Sequence, residues 1–148
     1  MNFEFDDDQR MLRDQARRFL LDKSPPEIVR QTLEGDQPFD RDLWKQFGDM
    51  GWIGAAIPEE YGGSGMGHLE LCVLAEELGR SLAPTPFASS VYLGAEALLT
   101  AGTEEQKQGY LPDLATGQAI WCLAISEGPQ PATEKNTTVT VTNGKLSG

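Results

Sequence analysis

The segment Tyr61-Gly62-Gly63-Ser64-Gly65-Met66-Gly67 has the composition of an anion cradle, since glycines let backbone amides close on a phosphate with no Cβ in the way. It lacks the GK[ST] ending of a P-loop and no strand precedes it, so it reads as a shaped connector. His68 is the only histidine, and a metal centre or a hydrolytic triad needs convergent partners that no spacing here supplies. It reads as a loop or helix-start residue, and no metal ligands are assigned. Glu76 and Glu77 are adjacent carboxylates that burial would turn into a raised-pKa pair, but a solvated edge or pairing with an Arg such as Arg80 is the simpler expectation. Cys72 and Cys122 each sit inside an apolar stretch and read as buried, reduced thiols used as small hydrophobes. Trp44 and Trp52 fall where helix and loop need core bulk; for Trp121, packing and stacking on a planar group both stay open.

Charge narrows the field. With 23 acidic and 12 basic residues the chain carries a net charge of −11, which repels phosphate backbones and anionic lipid, so nucleic-acid and membrane-surface roles are disfavoured. The acidic start MNFEFDDDQR has no apolar signal core, and no run approaches the ~20 apolar residues of a membrane span. A soluble, cytoplasmic protein is the expectation.

The elements that must position these residues are mainly helical. Leu12, Ala16, Phe19 and Leu20 recur at helical spacing after an Asp cluster suited to the positive end of a helix dipole. Ser24-Pro25-Pro26-Glu27 predicts a capped second helix ending at Gly35, and Asp40 caps a third whose stripe is Leu43, Trp44, Phe47 and Met50. Trp52, Ile53 and Ile57 peg the following Gly-rich loop to the core. A largely apolar helix over 69–82 follows, then another over 87–101 closed by Gly102. Thr103-Glu104-Glu105-Gln106 opens a last helix ending near Gly117. The expectation is an up-and-down bundle of about five to six helices over 1–118.

From residue 119 the texture changes. Ala119 to Ile125 is a continuous apolar run, and Thr137 to Thr142 alternates with period two before Asn143-Gly144, a hairpin-turn dipeptide. Residues 119–148 read as the first strands of a β domain that these residues leave incomplete, as in a piece of a longer protein.

Four segments, IPEEYGGSG (57–65), LAEELGR (74–80), AGTEEQKQGYLPDLATG (101–117) and LAISE (123–127), in this order and spacing, resemble the amino-terminal part of an acyl-CoA dehydrogenase. The resemblance implies an all-α first domain, a middle β-barrel whose opening strands lie at 119–148, and a carboxy-terminal helical bundle, assembled as dimers or tetramers. It implies a flavoprotein of fatty acid metabolism: FAD accepts a hydride from the β carbon of an acyl-CoA as a base removes the α proton, and electron-transferring flavoprotein reoxidises it. In most of the family the base is a Glu of the carboxy-terminal domain, so no catalytic residue is expected within these 148 residues, which alone should be inactive.

By the same resemblance, Leu123, Ile125 and Ser126 lie against the flavin, with Ser126 replacing the usual Thr as hydroxyl donor. Ser89, Ser90 and Leu93 line the acyl channel, or else are ordinary bundle core. In the family's TEPxAGSD, Ser126-Glu127 stand for the first two residues, and after them, where the family has Pro and then AGSD, this chain has Gly128-Pro129-Gln130-Pro131-Ala132-Thr133. Two prolines there remove backbone donors and predict a changed grip on flavin and CoA. The alternatives are a non-catalytic or half-site subunit of a heteromeric dehydrogenase and, more remotely, an unrelated helical interaction module.

Overall fold

A computed structural model describes residues 4–129, 133 and 135–148. Six α-helices come first: α1 (Asp7–Lys23), α2 (Pro26–Glu34), α3 (Arg41–Asp49), α4 (His68–Arg80), α5 (Glu96–Ala101) and α6 (Glu104–Ala115). A two-stranded antiparallel hairpin, β1 (Thr140–Thr142) and β2 (Lys145–Ser147), comes last.

The helix starts follow local chemistry. Asp6 accepts the Gln9 N–H at 2.8 Å while the Gln9 side chain accepts the Asp6 N–H, a complete capping box, and Thr103 and Gln106 repeat it on α6. Asp40 caps α3 through the Leu43 N–H at 2.9 Å. The second helix departs from expectation. Ser24 finishes α1, its N–H bonded to the Leu20 carbonyl and its hydroxyl facing Ser81, so Pro25 takes the N-cap position of α2 with no side-chain bond.

The core is built where α1, α3 and α4 meet the loop after α3. Phe47, Ile53, Ile57, Leu74, Leu111 and Leu114 are at most 1% exposed, and Phe19, Phe47, Trp52 and Phe87 form a run of tilted and edge-on ring contacts. Each such side chain contributes roughly 1.5–3 kcal/mol on burial, against about 0–1 kcal/mol for an exposed ion pair, so the core holds the bundle rather than its charged surface. Trp44 and Trp52 are both core residues, as their positions require, and the Trp44 indole N–H donates to the Gly117 carbonyl at 2.9 Å.

Between α3 and α4 the Gly-rich loop folds on itself. Its N–H groups are spent on its own carbonyls: Ser64 to Gly54, Gly65 to Ile57 and Met66 to Ala55, all within 2.9 Å. A Cβ on Gly63 would overlap the Ile57 carbonyl, so this glycine serves close backbone packing and the loop is a connector, not an anion cradle. The 3₁₀ turn Glu59–Tyr61 ties it to α6, where the Tyr61 hydroxyl donates to Glu104 at 2.7 Å; that bond pushes the phenol up to about 12.

Several expectations are corrected. Cys72 and Cys122 are both exposed free thiols, because Cys72 lies on the outer side of α4 and the segment holding Cys122 is covered on one side only. Met50 is 39% exposed at the end of the α3 stripe. Residues 120–126 form no strand: the main-chain groups of 122–125 bond to none of the described residues, and a strand exists only through a partner. Asn143 and Gly144 do make the hairpin turn, both with positive φ (53° and 72°) as a type I′ turn demands.

Glu77 is the buried charge of the bundle. Its side chain is 1% exposed and receives two bonds from the Arg17 guanidinium, at 2.7 and 3.0 Å, with Arg80 at 3.4 Å. Of the adjacent acids only Glu76 lies at the solvated edge, where it meets Arg80. The hydrogen bonds from Arg17 hold the Glu77 carboxyl below its ordinary 4.5. Glu77→Gln is expected to lower unfolding free energy by roughly 1–2 kcal/mol at neutral pH, because charge-assisted bonds become neutral ones. The folded-state value is depressed, so the contribution is full above the ordinary value and is lost as acid titrates the folded carboxyl; the gap between variant and wild type should narrow progressively below pH 4.5. Urea midpoints measured across that range check both statements.

Candidate functional site

The helix over 87–101 is not uniformly α. Ala88–Ala95 is a π-helical segment that runs directly into α5, and such segments are frequent at functional sites. It carries Ser89, Ser90 and Leu93, and the chain crosses it again after α6. Ser90 is fully buried, and its hydroxyl accepts the Trp121 N–H at 3.0 Å and donates to the Trp121 carbonyl at 3.2 Å. Gly94 makes the close approach possible: a Cβ there would stand 2.6 Å from the Cβ of Trp121. The Trp121 ring lies 5.2 Å from that of Tyr110 on α6, so its side chain packs against the bundle.

Beyond this crossing the chain leaves the helical surface. Leu123 and Ile125 are 42% and 62% exposed, and the Ser126 hydroxyl donates to the Gly128 carbonyl at 2.9 Å. Glu127 then anchors the segment from its far end, accepting from the hydroxyl of Thr138 at 2.6 Å, from the Thr138 N–H, and from the Val139 N–H at 3.1 Å. These bonds hold its carboxyl below the ordinary range. Residues 122–126 thus run from the bundle contact at Trp121 to the Glu127 bonds with the hairpin, with apolar side chains and, at 122–125, main-chain groups that bond to none of the described residues. Such a strip offers apolar contact and main-chain donors and acceptors to a planar, hydrogen-bonding ring system.

The three residues expected along an acyl channel divide. Leu93 is exposed; Ser89 is half-buried, its hydroxyl bonded to the Pro86 carbonyl at 3.0 Å; Ser90 is committed to Trp121. On another side of the π-helical segment an open, mostly apolar cleft of about 390 Å³ lies among Leu71, Cys72, Ala75 and Tyr92. His68, the first residue of α4, pairs with Glu96 at its rim at 2.9 Å, and burial pushes the Tyr92 phenol up to about 12. Among the described residues no three His, Cys, Asp or Glu side chains converge as metal ligands, and no helix is long and apolar enough to cross a membrane. Gly128 and Pro129 lie in an open bend, whereas Gln130, Pro131 and Ala132 fall outside the described residues.

No local pattern marks the Ser90–Trp121 bonds, which join residues 31 positions apart, or the π-helical register. The role of Glu127 had one available signal, an acid just before a Gly-Pro bend with Thr-rich β sequence downstream.

Residues 6–118 match the family described as acyl-CoA dehydrogenase, N-terminal domain. The chain is 37% identical over 129 residues to the probable acyl-CoA dehydrogenase YngJ of Bacillus subtilis, covering 86% of this chain and 33% of that protein. It is 34% identical over 125 residues to mitochondrial isovaleryl-CoA dehydrogenase of Solanum tuberosum, covering 83% of this chain and 30% of that protein. Among solved structures it superposes on a glutaryl-coenzyme A dehydrogenase in complex with glutaryl-CoA, with TM-score 0.78, 27% identity, and 94% of this chain and 36% of the other covered. An acyl-CoA dehydrogenase from Bacillus anthracis complexed with FAD gives TM-score 0.77 at 29% identity, with 92% and 23% covered. The chain therefore belongs to the acyl-CoA dehydrogenase family, matching its amino-terminal domain, and it spans about a third of the length of these curated relatives.

The exposed thiols give a direct check. Titration of the native chain with a thiol reagent should count both cysteines without denaturant, and a Cys122→Ser variant should count one. A native count of zero would return both to the core.

Proposed function

We propose that these residues form one wall of the FAD and acyl site of a flavin-dependent oxidoreductase that dehydrogenates acyl-CoA thioesters at the α and β carbons. The observation that carries the reading is the segment 121–127, held at Trp121 and Glu127 with Leu123, Ile125 and Ser126 presented between them. It is supported by the family and by a relative solved with FAD.

When bound, FAD supplies the hydride acceptor of the reaction. The residues of this chain have simpler tasks. Leu123 and Ile125 present apolar surface that excludes water from one face of the ring. Ser126 supplies an O–H at its edge, a turn of χ1 away from the Gly128 carbonyl it now faces. Leu93 and Ser89 border the acyl group from the π-helical segment. The family resemblance puts the general base outside these residues, and Glu127 has a different task, holding the backbone at 138 and 139. A flavoprotein carrier would take up the electrons, as the family resemblance implies; one similar structure is of an electron transferring flavoprotein of Acidaminococcus fermentans, at 32% identity and TM-score 0.68.

A half-site subunit in a heteromeric enzyme is the second reading. The altered segment Gly128 to Thr133, whose two prolines offer no N–H, departs from the family pattern, and a similar structure is a ChsE4–ChsE5 complex from Mycobacterium tuberculosis, at 30% identity and TM-score 0.66.

The whole protein, purified alone and with any co-purifying partner, should be yellow and should bleach anaerobically on addition of its acyl-CoA. A colourless protein that gains flavin only with a partner would select the half-site reading, and no flavin in either form would remove both. Residues 1–148 alone should show no acyl-CoA-dependent reduction of an electron acceptor.

A further inference from the structure

We infer that Ser90 and Gly94 form a clamp that sets the position of residues 121–126, making Ser90 a positioning residue for the cofactor that it never touches. The functional half of this inference rests on the flavin reading above.

A buried serine on a helix ordinarily satisfies itself on a carbonyl three or four residues back. Its neighbours do so: Ser81 bonds to Leu78, Ser89 to Pro86 and Thr116 to Pro112. Ser90 does not. The Pro86 carbonyl already accepts the Ser90 N–H at 3.0 Å and the Ser89 hydroxyl at 3.0 Å, which leaves the Ser90 hydroxyl to reach across to another element. There it meets both main-chain groups of one residue, Trp121, with one donor and one acceptor bond. That pattern fixes where the backbone lies and how it is rotated about its own axis, which a single bond would leave free.

Gly94 supplies the other half, holding the distance open to the Cβ of Trp121. The main chain of 122–125 bonds to none of the described residues, so Trp121 is the last fixed point before Leu123 and Ile125. A small rotation at Trp121 therefore carries Leu123 and Ile125 with it.

The test uses the whole protein, with its partner where it has one, as wild type, Ser90→Ala, Ser90→Thr and Gly94→Ala. Hydrogen–deuterium exchange of the Trp121 amide is measured on cofactor-free protein, and FAD affinity and the shape of the bound flavin's visible spectrum on reconstituted protein. Ser90→Ala is expected to exchange about tenfold faster at the Trp121 amide and to bind FAD about tenfold more weakly, with a changed visible spectrum and unchanged far-ultraviolet circular dichroism. Ser90→Thr, which keeps the hydroxyl, should recover most of the affinity, whereas Gly94→Ala should reproduce the defect from the opposite side. If Ser90→Ala does not fold, Gly94→Ala against Ser90→Thr makes the same comparison. Exchange and affinity within twofold of wild type in both alanine variants would overturn the clamp. Faster exchange with unchanged FAD affinity would overturn the positioning role, and a wild-type protein with no affinity for FAD would instead overturn the flavin reading on which that role rests.

Discussion

A carboxylate with almost no exposure to water must be answered by a cation, and the position of the first helix follows from that demand. Glu77 on α4 is reached by the guanidinium of Arg17, whose planar fork matches it with two parallel bonds. Two turns away Gln9 donates to Glu70 at 2.8 Å, so α1 and α4 are joined by two polar contacts with the buried Ala16 between them and Leu20 beyond. Apolar packing alone would let two such helices slide past one another. A bidentate pair does not, because a shift of one turn strands a buried charge. With α1 in register, Phe19 meets Trp52 and Phe47, and the loop carrying Trp52 is held where its glycines can pack.

Much of this frame was legible in local sequence. Asp6, Asp40 and Thr103 mark helix starts because a cap involves residues three apart, and Trp52, Ile53 and Ile57 stood out as apolar residues in a polar, Gly-rich stretch. What was not legible was set by distance along the chain. The partner of Glu77 lies 60 residues earlier and that of Ser90 lies 31 residues later, and no periodicity encodes either. Ser24 was misassigned because its composition suits a cap while its neighbours end a helix. Cys72 and Cys122 were placed inside from apolar neighbours, although on a helix or an extended segment a residue's neighbours face other directions.

The candidate site was legible mainly as a resemblance. LAISE names the residues that face outward after the bundle, yet the geometry that makes them useful comes from elsewhere: a hydroxyl on a helix, a glycine beside it and a carboxylate answering the hairpin. The bundle is therefore more than a base for the segment, since it determines where the segment starts. The same division explains the Gly-rich loop, whose amides from Tyr61 to Met66 are spent on its own folding.

The π-helical register of Ala88–Ala95 has a consequence for how this region can change over time. A wider helical turn absorbs a residue that an α-helix of the same span would not contain, so its ends keep their places while the stretch between is rotated out of α phase. Deleting one residue there would let the helix relax to ordinary geometry with its ends still in place, and only residues inside the stretch would turn about the axis. Ser90, inside it, would leave Trp121, whereas Glu96, just past it, would keep its contact with His68. The length of this stretch is therefore tied to the Ser90 contact.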